Sequence, residues 1–209
     1  MNSKHVLPIK AETFGLLVKQ LRLFYEKADM FEIWLDVMKV KGDLAVIQNH
    51  FNKPLIAKSN SLDLLRRAAT AGMRYIDIPH DLDETLEFKN LLKNKKNKVI
   101  RSYHNYESTP SVEELIKIIK ELISKKADLI KIATKVTNNS DNDILLSLLE
   151  IPEFKDRLII CGIGDLARRV RIEAPLKGSV FFFAPLDSRY ASAEGQLTKA
   201  ELEKEWEIH

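Results

Sequence analysis

The chain has 209 residues, 45% of them apolar and 30% charged, which is enough to bury a sizeable core and argues against a mostly disordered chain. Its 33 Lys+Arg and 30 Asp+Glu leave a formal net charge of +3, a margin that does not point to nucleic acid or an anionic membrane as the main partner. The one cysteine, Cys161, makes no intrachain disulfide and cannot alone hold a structural zinc. A reducing cytosol is the simplest setting. Residues 1–10 carry no long apolar stretch of the signal-peptide kind, and no apolar run approaches the length of a membrane span.

Short apolar runs read as strands at 6–9, 31–37, 54–58, 75–78, 99–104, 129–136, 157–162 and 180–184. Amphipathic runs read as helices at 13–27, 62–71, 83–92, 112–125, 142–149 and 199–206. The run at 112–125 is the clearest, with Val112, Leu115, Ile116, Ile119, Leu122 and Ile123 at helical spacing. Its start has two readings: Thr109-Pro110 as N-cap and first position, or Ser111 with Glu114 as a capping box one register later. The run from Lys93 to Lys98 reads as a solvated loop before the next strand. Strand-like runs alternating with helices predict an α/β chain, a compact single-domain (β/α)8 TIM barrel over residues 1–209. The rival is an open doubly wound sheet, which lacks support because no G-x-G-x-x-G loop follows the first strand.

Strand alternation separates inward from outward side chains. In 129–136, Leu129, Lys131, Ala133 and Lys135 share a face, and Ile130, Ile132 and Thr134 share the helix-packing face. Lys131 therefore points into the barrel, where apolar walls are expected to lower its proton affinity and suit it to attack a carbonyl. In 31–37 the apolar set Phe31, Ile33, Leu35 and Val37 sends Glu32, Trp34 and Asp36 inward. Ser102 and His104 share a face, with His104 at the carboxyl end where barrel active sites lie. A nucleophilic amine, a proton-transferring imidazole and a carboxylate form a coherent set.

The segments carrying these residues resemble the type I 3-dehydroquinate dehydratases. Ser102-Tyr103-His104-Asn105-Tyr106, followed by Thr109-Pro110, resembles the family's histidine motif, and Asp128-Leu129-Ile130-Lys131-Ile132-Ala133 its Schiff-base strand. Glu32-Ile33-Trp34-Leu35-Asp36 is similar to the E-x-R-x-D strand. Ile163-Gly164 onward to Arg171, Ala174-Pro175-Leu176 and Gly178-Ser179 resembles the stretch with the carboxylate-binding arginine, and Ser192-Ala193-Glu194-Gly195-Gln196 the S-A-P-G-Q lid. The resemblance implies a hydro-lyase of the shikimate pathway that forms an imine between Lys131 and 3-dehydroquinate, needs neither cofactor nor metal, and works as a cytoplasmic homodimer with a small-molecule substrate and no nucleic-acid or membrane partner. His104 then moves protons, Glu32 sets the position and charge of His104, Arg171 holds the substrate carboxylate, and Ser192 and Gln196 close over it.

This chain departs from the pattern where substrate is recognised. Trp34 stands in place of an arginine, and the family's T-x-R is Lys58-Ser59-Asn60 with no E-G-G segment after it. Arg168 is the alternative to Arg171 as carboxylate anchor, and the lid proline is Glu194. Lys58 is expected to offer a compensating ammonium at the barrel mouth, and Trp34 and Asp77 complete the substrate-binding candidates. The departures keep two other readings open: a Schiff-base lyase or aldolase of the same fold acting on another keto acid, and a non-catalytic metabolite-binding relative.

Overall fold

The computed structural model describes residues 2–39, 42–94 and 97–208. Strands and helices alternate: β1 (Lys4–Ile9), α1 (Phe14–Leu23), β2 (Met30–Trp34), α2 (Leu44–His50), β3 (Leu55–Lys58), α3 (Leu62–Thr70), β4 (Tyr75–Pro79), α4 (Leu86–Asn94), β5 (Lys98–Asn105), α5 (Val112–Ser124), β6 (Leu129–Lys135), α6 (Asn139–Ser147), β7 (Leu158–Ile163), α7 (Arg168–Leu176), β8 (Phe181–Phe183) and α8 (Lys199–Ile208). The strands run in the order β7-β6-β5-β4-β3-β2-β1-β8, each parallel to its neighbours. At the seam between β7 and β8, the Val180 amide donates to the Leu158 carbonyl at 2.8 Å. The Ser179 hydroxyl accepts from the Ile160 amide at 3.1 Å and donates to the Phe181 carbonyl at 2.9 Å. These contacts complete a (β/α)8 barrel, because β1 pairs on one side with β2 and on the other with β8, and the doubly wound alternative is set aside.

The period of two along each strand builds the interior in layers. Val6, Met30, Ile56, Tyr75, Ile100, Leu129, Ile159 and Phe181, one from each strand, pack together as an apolar floor. Two residues further along lie Glu32, Lys58, Asp77, Ser102, Lys131, Cys161 and Phe183, so the same alternation that fills the floor lifts a polar layer towards the carboxyl ends. The opposite face of the strands packs against the helices in two clusters. One includes Phe31, Ile33, Leu55, Ile76 and Ile78, and the other Ile130, Ile132, Leu158 and Ile160.

Several boundaries differ from the sequence reading. Strand β2 ends at Trp34, and Leu35–Val37 form a 3-10 turn. Asp36 therefore does not point into the barrel. It is exposed and ties down the loop after β3, accepting from the Ser59 hydroxyl at 2.7 Å and the Asn60 amide at 3.0 Å. Ser111 caps α5 in a full capping box with Glu114, while the Thr109 hydroxyl donates to the Lys135 carbonyl at 2.8 Å. Helices α2 and α7 carry weak signals. The first has seven residues, and the second opens with Arg168 and Arg169 and contains Pro175. Of the lysine-rich run, Lys93 belongs to α4 and Lys98 opens β5, while Lys95 and Lys96 lie outside the described residues.

Candidate active site

Lys131 is 5% exposed, and its Nζ lies 2.8 Å from Glu32 Oε1, 3.6 Å from Asp77 Oδ2 and 4.1 Å from the centre of the Phe183 ring. The expectation of a lowered Lys131 pKa is overturned. Burial is the largest influence and does lower it, but the charges of Glu32 and Asp77 together outweigh it, and the pKa lies above the ordinary lysine value. For Glu32 the balance mirrors this: burial raises its pKa, while Lys131 and then Lys58 pull it below the ordinary carboxylate value. At rest the pair is an ammonium and a carboxylate in a buried, charge-assisted hydrogen bond.

Glu32 is fully engaged without His104. Its second oxygen accepts from the Trp34 indole Nε1 at 2.7 Å, and no hydrogen bond joins it to the imidazole among the described residues. The expected Glu32–His104 pairing is therefore corrected: Glu32 orients Lys131, and Trp34 orients Glu32. His104 instead meets Lys58, with Nζ 3.1 Å from Nε2, and stacks on Tyr106 with ring centres 5.9 Å apart. Burial, then Lys58 and Lys131, lower the His104 pKa to about 2, so the ring is neutral at ordinary pH. Lys58 is itself lowered by burial and by Lys131. Asp77, expected among the substrate-binding residues, is 1% exposed, lies 3.6 Å from the Lys131 amine and is not among the residues that line the cavity.

Above this layer opens a cavity of about 310 Å³, lined by Glu32, Trp34, Lys58, His104, Lys131, Arg171, Ser192, Glu194 and Gln196 among others. Arg171 lines it, whereas Arg168 pairs with Glu205 at 2.7 Å and is not among the lining residues. One Arg171 amine donates to the Glu194 carbonyl at 2.8 Å, while its Nε is buried without a partner. Among the described residues no carboxylate pairs with Arg171, so the mouth offers a cation to an anionic ligand.

The segment 192–196 folds over the mouth. Gln196 accepts from the Ser192 amide at 2.7 Å and donates to the Phe183 carbonyl at 2.9 Å. Glu194 pairs with Lys135, and Lys10 Nζ donates to the Ser192 carbonyl at 3.1 Å while lying 4.1 Å from the Trp34 ring centre. Lys10 and Phe183 escaped the sequence reading. The signal was available: one follows the carboxyl end of β1, and the other stands one alternation step beyond the floor residue Phe181.

A larger groove of about 800 Å³ runs along the outer flank by α4 and β5. Its buried ionic group, Arg101 with Glu84 at 2.6 Å, is self-neutralising, and the lysines that line it beside His80 are exposed to solvent. Among the described residues no cluster fits a metal ion, and no helix is long and apolar enough to cross a membrane.

The family described as type I 3-dehydroquinase matches residues 5–208. A 3-dehydroquinate dehydratase of Dehalococcoides mccartyi is 31% identical over 193 residues, 85% of this chain and 84% of that protein. Another from the same species is 34% identical over 147 residues, 70% of this chain and 65% of its own length. The Methanocaldococcus jannaschii 3-dehydroquinate dehydratase is 27% identical over 97% of both chains. Among solved structures, the type I 3-dehydroquinate dehydratase of Clostridium difficile, crystallised with covalently modified comenic acid, superposes with a TM-score of 0.86 at 22% identity. The match covers 99% of this chain and 92% of that one, a likeness of fold. With the match running through β6 with the buried lysine, β5 with the imidazole and α7 with the rim arginine, the chain belongs to the type I 3-dehydroquinase family.

Proposed function

We propose that this chain dehydrates 3-dehydroquinate to 3-dehydroshikimate, a step of the shikimate pathway, through an imine on Lys131. The observation that carries the reading is the Lys131 amine, buried between Glu32 and Asp77 at 2.8 and 3.6 Å beneath a cavity with Arg171 at its rim. Glu32 accepts the ammonium proton along their hydrogen bond, and the freed amine attacks the C3 ketone. Loss of water leaves an iminium that acidifies the C2 proton. His104, neutral at working pH, takes that proton and returns it to the C1 hydroxyl, which departs as water. Hydrolysis of the imine releases product and restores the amine. Arg171 Nε and its free guanidinium edge hold the carboxylate, and Ser192 and Gln196 exclude solvent.

The test mixes the protein with 3-dehydroquinate, follows the absorbance of the conjugated enone, and reduces a parallel sample with borohydride. Turnover and a mass increment on Lys131 are expected; a correctly folded protein that yields neither overturns the reading. A second reading, a Schiff-base lyase acting on another keto acid, draws on Trp34, whose ring stands where an arginine is expected and whose donor is spent on Glu32. Labelling of Lys131 by other keto acids but not by 3-dehydroquinate selects it. The family resemblance further supports a single-domain barrel working as a cytosolic homodimer, and sedimentation equilibrium at the monomer mass overturns the dimer.

A further inference from the structure

We propose that Lys58 is the positioning residue of His104: its ammonium holds the ring with Nε2 as the bare, proton-accepting nitrogen. This deepens the dehydratase reading and rests on it for its catalytic meaning. The contact is geometric. Lys58 closes β3, two residues above the floor residue Ile56, and its Nζ stands 3.1 Å from His104 Nε2. An ammonium carries three hydrogens and no lone pair. At that distance Nε2 must accept, and the one proton of the neutral ring belongs on Nδ1.

The surroundings leave the task to Lys58. Facing His104 from β2 is Glu32, whose two oxygens are taken by Lys131 and Trp34. From β6 comes Lys131, a second cation, and from the end of β4 comes His80. Asp77, lower on β4, is 3.6 Å from Lys131. Tyr106 stacks on the ring and fixes its plane. A carboxylate partner would have stabilised the imidazolium; an ammonium does the opposite. A proton taken from substrate therefore sits on a ring that is a strong acid, ready to pass it to the leaving hydroxyl. Lys58 also meets Trp34. In the same position its Nζ lies 4.9 Å from the Trp34 ring centre, a cation–π contact that holds the ammonium beside His104. Trp34, foreign to the family pattern, then serves Glu32 with its edge and Lys58 with its face.

The experiment is a ¹⁵N NMR titration of the full chain labelled at histidine, from pH 4 to pH 8, with His104→Gln used to assign the signal. In the wild type the His104 ring is expected to remain neutral with the proton on Nδ1 across the range. In Lys58→Met both tautomers are populated, while Lys58→Arg keeps the wild-type state. In turnover, kcat falls in Lys58→Met with KM little changed, and Lys58→Arg restores it. A wild-type ring protonated on Nε2 overturns the proposal, as does a Lys58→Met tautomer distribution identical to wild type. The wild-type tautomer decides the matter even if a variant fails to fold. The NMR arm needs no substrate, so an inactive protein with the expected tautomer counts against the dehydratase reading and not against this one.

Discussion

Lys131→Met abolishes borohydride trapping and all turnover of 3-dehydroquinate, and it also weakens the fold in a pH-dependent way. The first loss follows from removing the only atom proposed to form the imine. The second follows from burial. Glu32 is 2% exposed and Asp77 1% exposed, and the substitution leaves both beside an apolar chain. Breaking a buried ion pair by removing one partner typically costs about 3–5 kcal/mol. The sign with pH is fixed by the wild-type shifts. Lys131 lies above its ordinary pKa and Glu32 below, so the pair stabilises the wild type above the unfolded carboxylate pKa and below the unfolded lysine pKa, and the contribution fades outside that window. In the variant the buried carboxylates gain by taking a proton. Urea denaturation is therefore expected to find the largest gap from wild type near pH 8 and a smaller one near pH 4. An equal gap at both would mean that the pair is not ionised in the folded protein.

His104→Ala lowers kcat by about 10²- to 10⁴-fold, the usual contribution of a general acid–base group, yet still leaves a borohydride-reducible adduct on Lys131. The imine needs the amine, and Glu32 receives the amine's proton without the imidazole. Among the described residues that line the cavity, His104 is the one imidazole. Because the His104 pKa is depressed to about 2 by burial and then by Lys58 and Lys131, the wild-type rate should show no acid limb near the ordinary histidine value of about 6.5. A limb there that disappears in His104→Ala would show that the ring titrates freely. The same depression has a stability consequence. The neutral ring is favoured in the fold, so its contribution is complete above about pH 6.5 and declines as pH falls from there.

The barrel was legible because period-two alternation and helical spacing are local signals. All eight strand positions overlap the observed strands, and the inward faces of β2, β5 and β6 placed Glu32, His104 and Lys131 on the interior. What escaped was non-local. The charge state of Lys131 depends on Glu32, 99 positions away, and no spacing rule reports that distance. The engagement of Trp34 Nε1 with Glu32 is an i, i+2 contact, yet it requires both side chains to lean across the interior. Asp36 was misplaced for a local reason: the apolar alternation continues to Val37 while the backbone turns after Trp34.

The joint between β1 and β8 bears on how the molecule is made. The ring joins Lys4 to Phe181 and the His5 ring to the Ala184 carbonyl, 179 positions apart. Contacts of such separation carry a loop-closure entropy that nearby strand pairs do not, and they form late. The residues around Lys131 are divided by that same joint: Lys10 follows β1, Phe183 ends β8, and Gln196 hangs its amide on the Phe183 carbonyl. An arc of seven strands already owns the lysine, both carboxylates and the imidazole, but it has neither the aromatic wall nor the cover. The first turnover during refolding therefore times the closing of the ring.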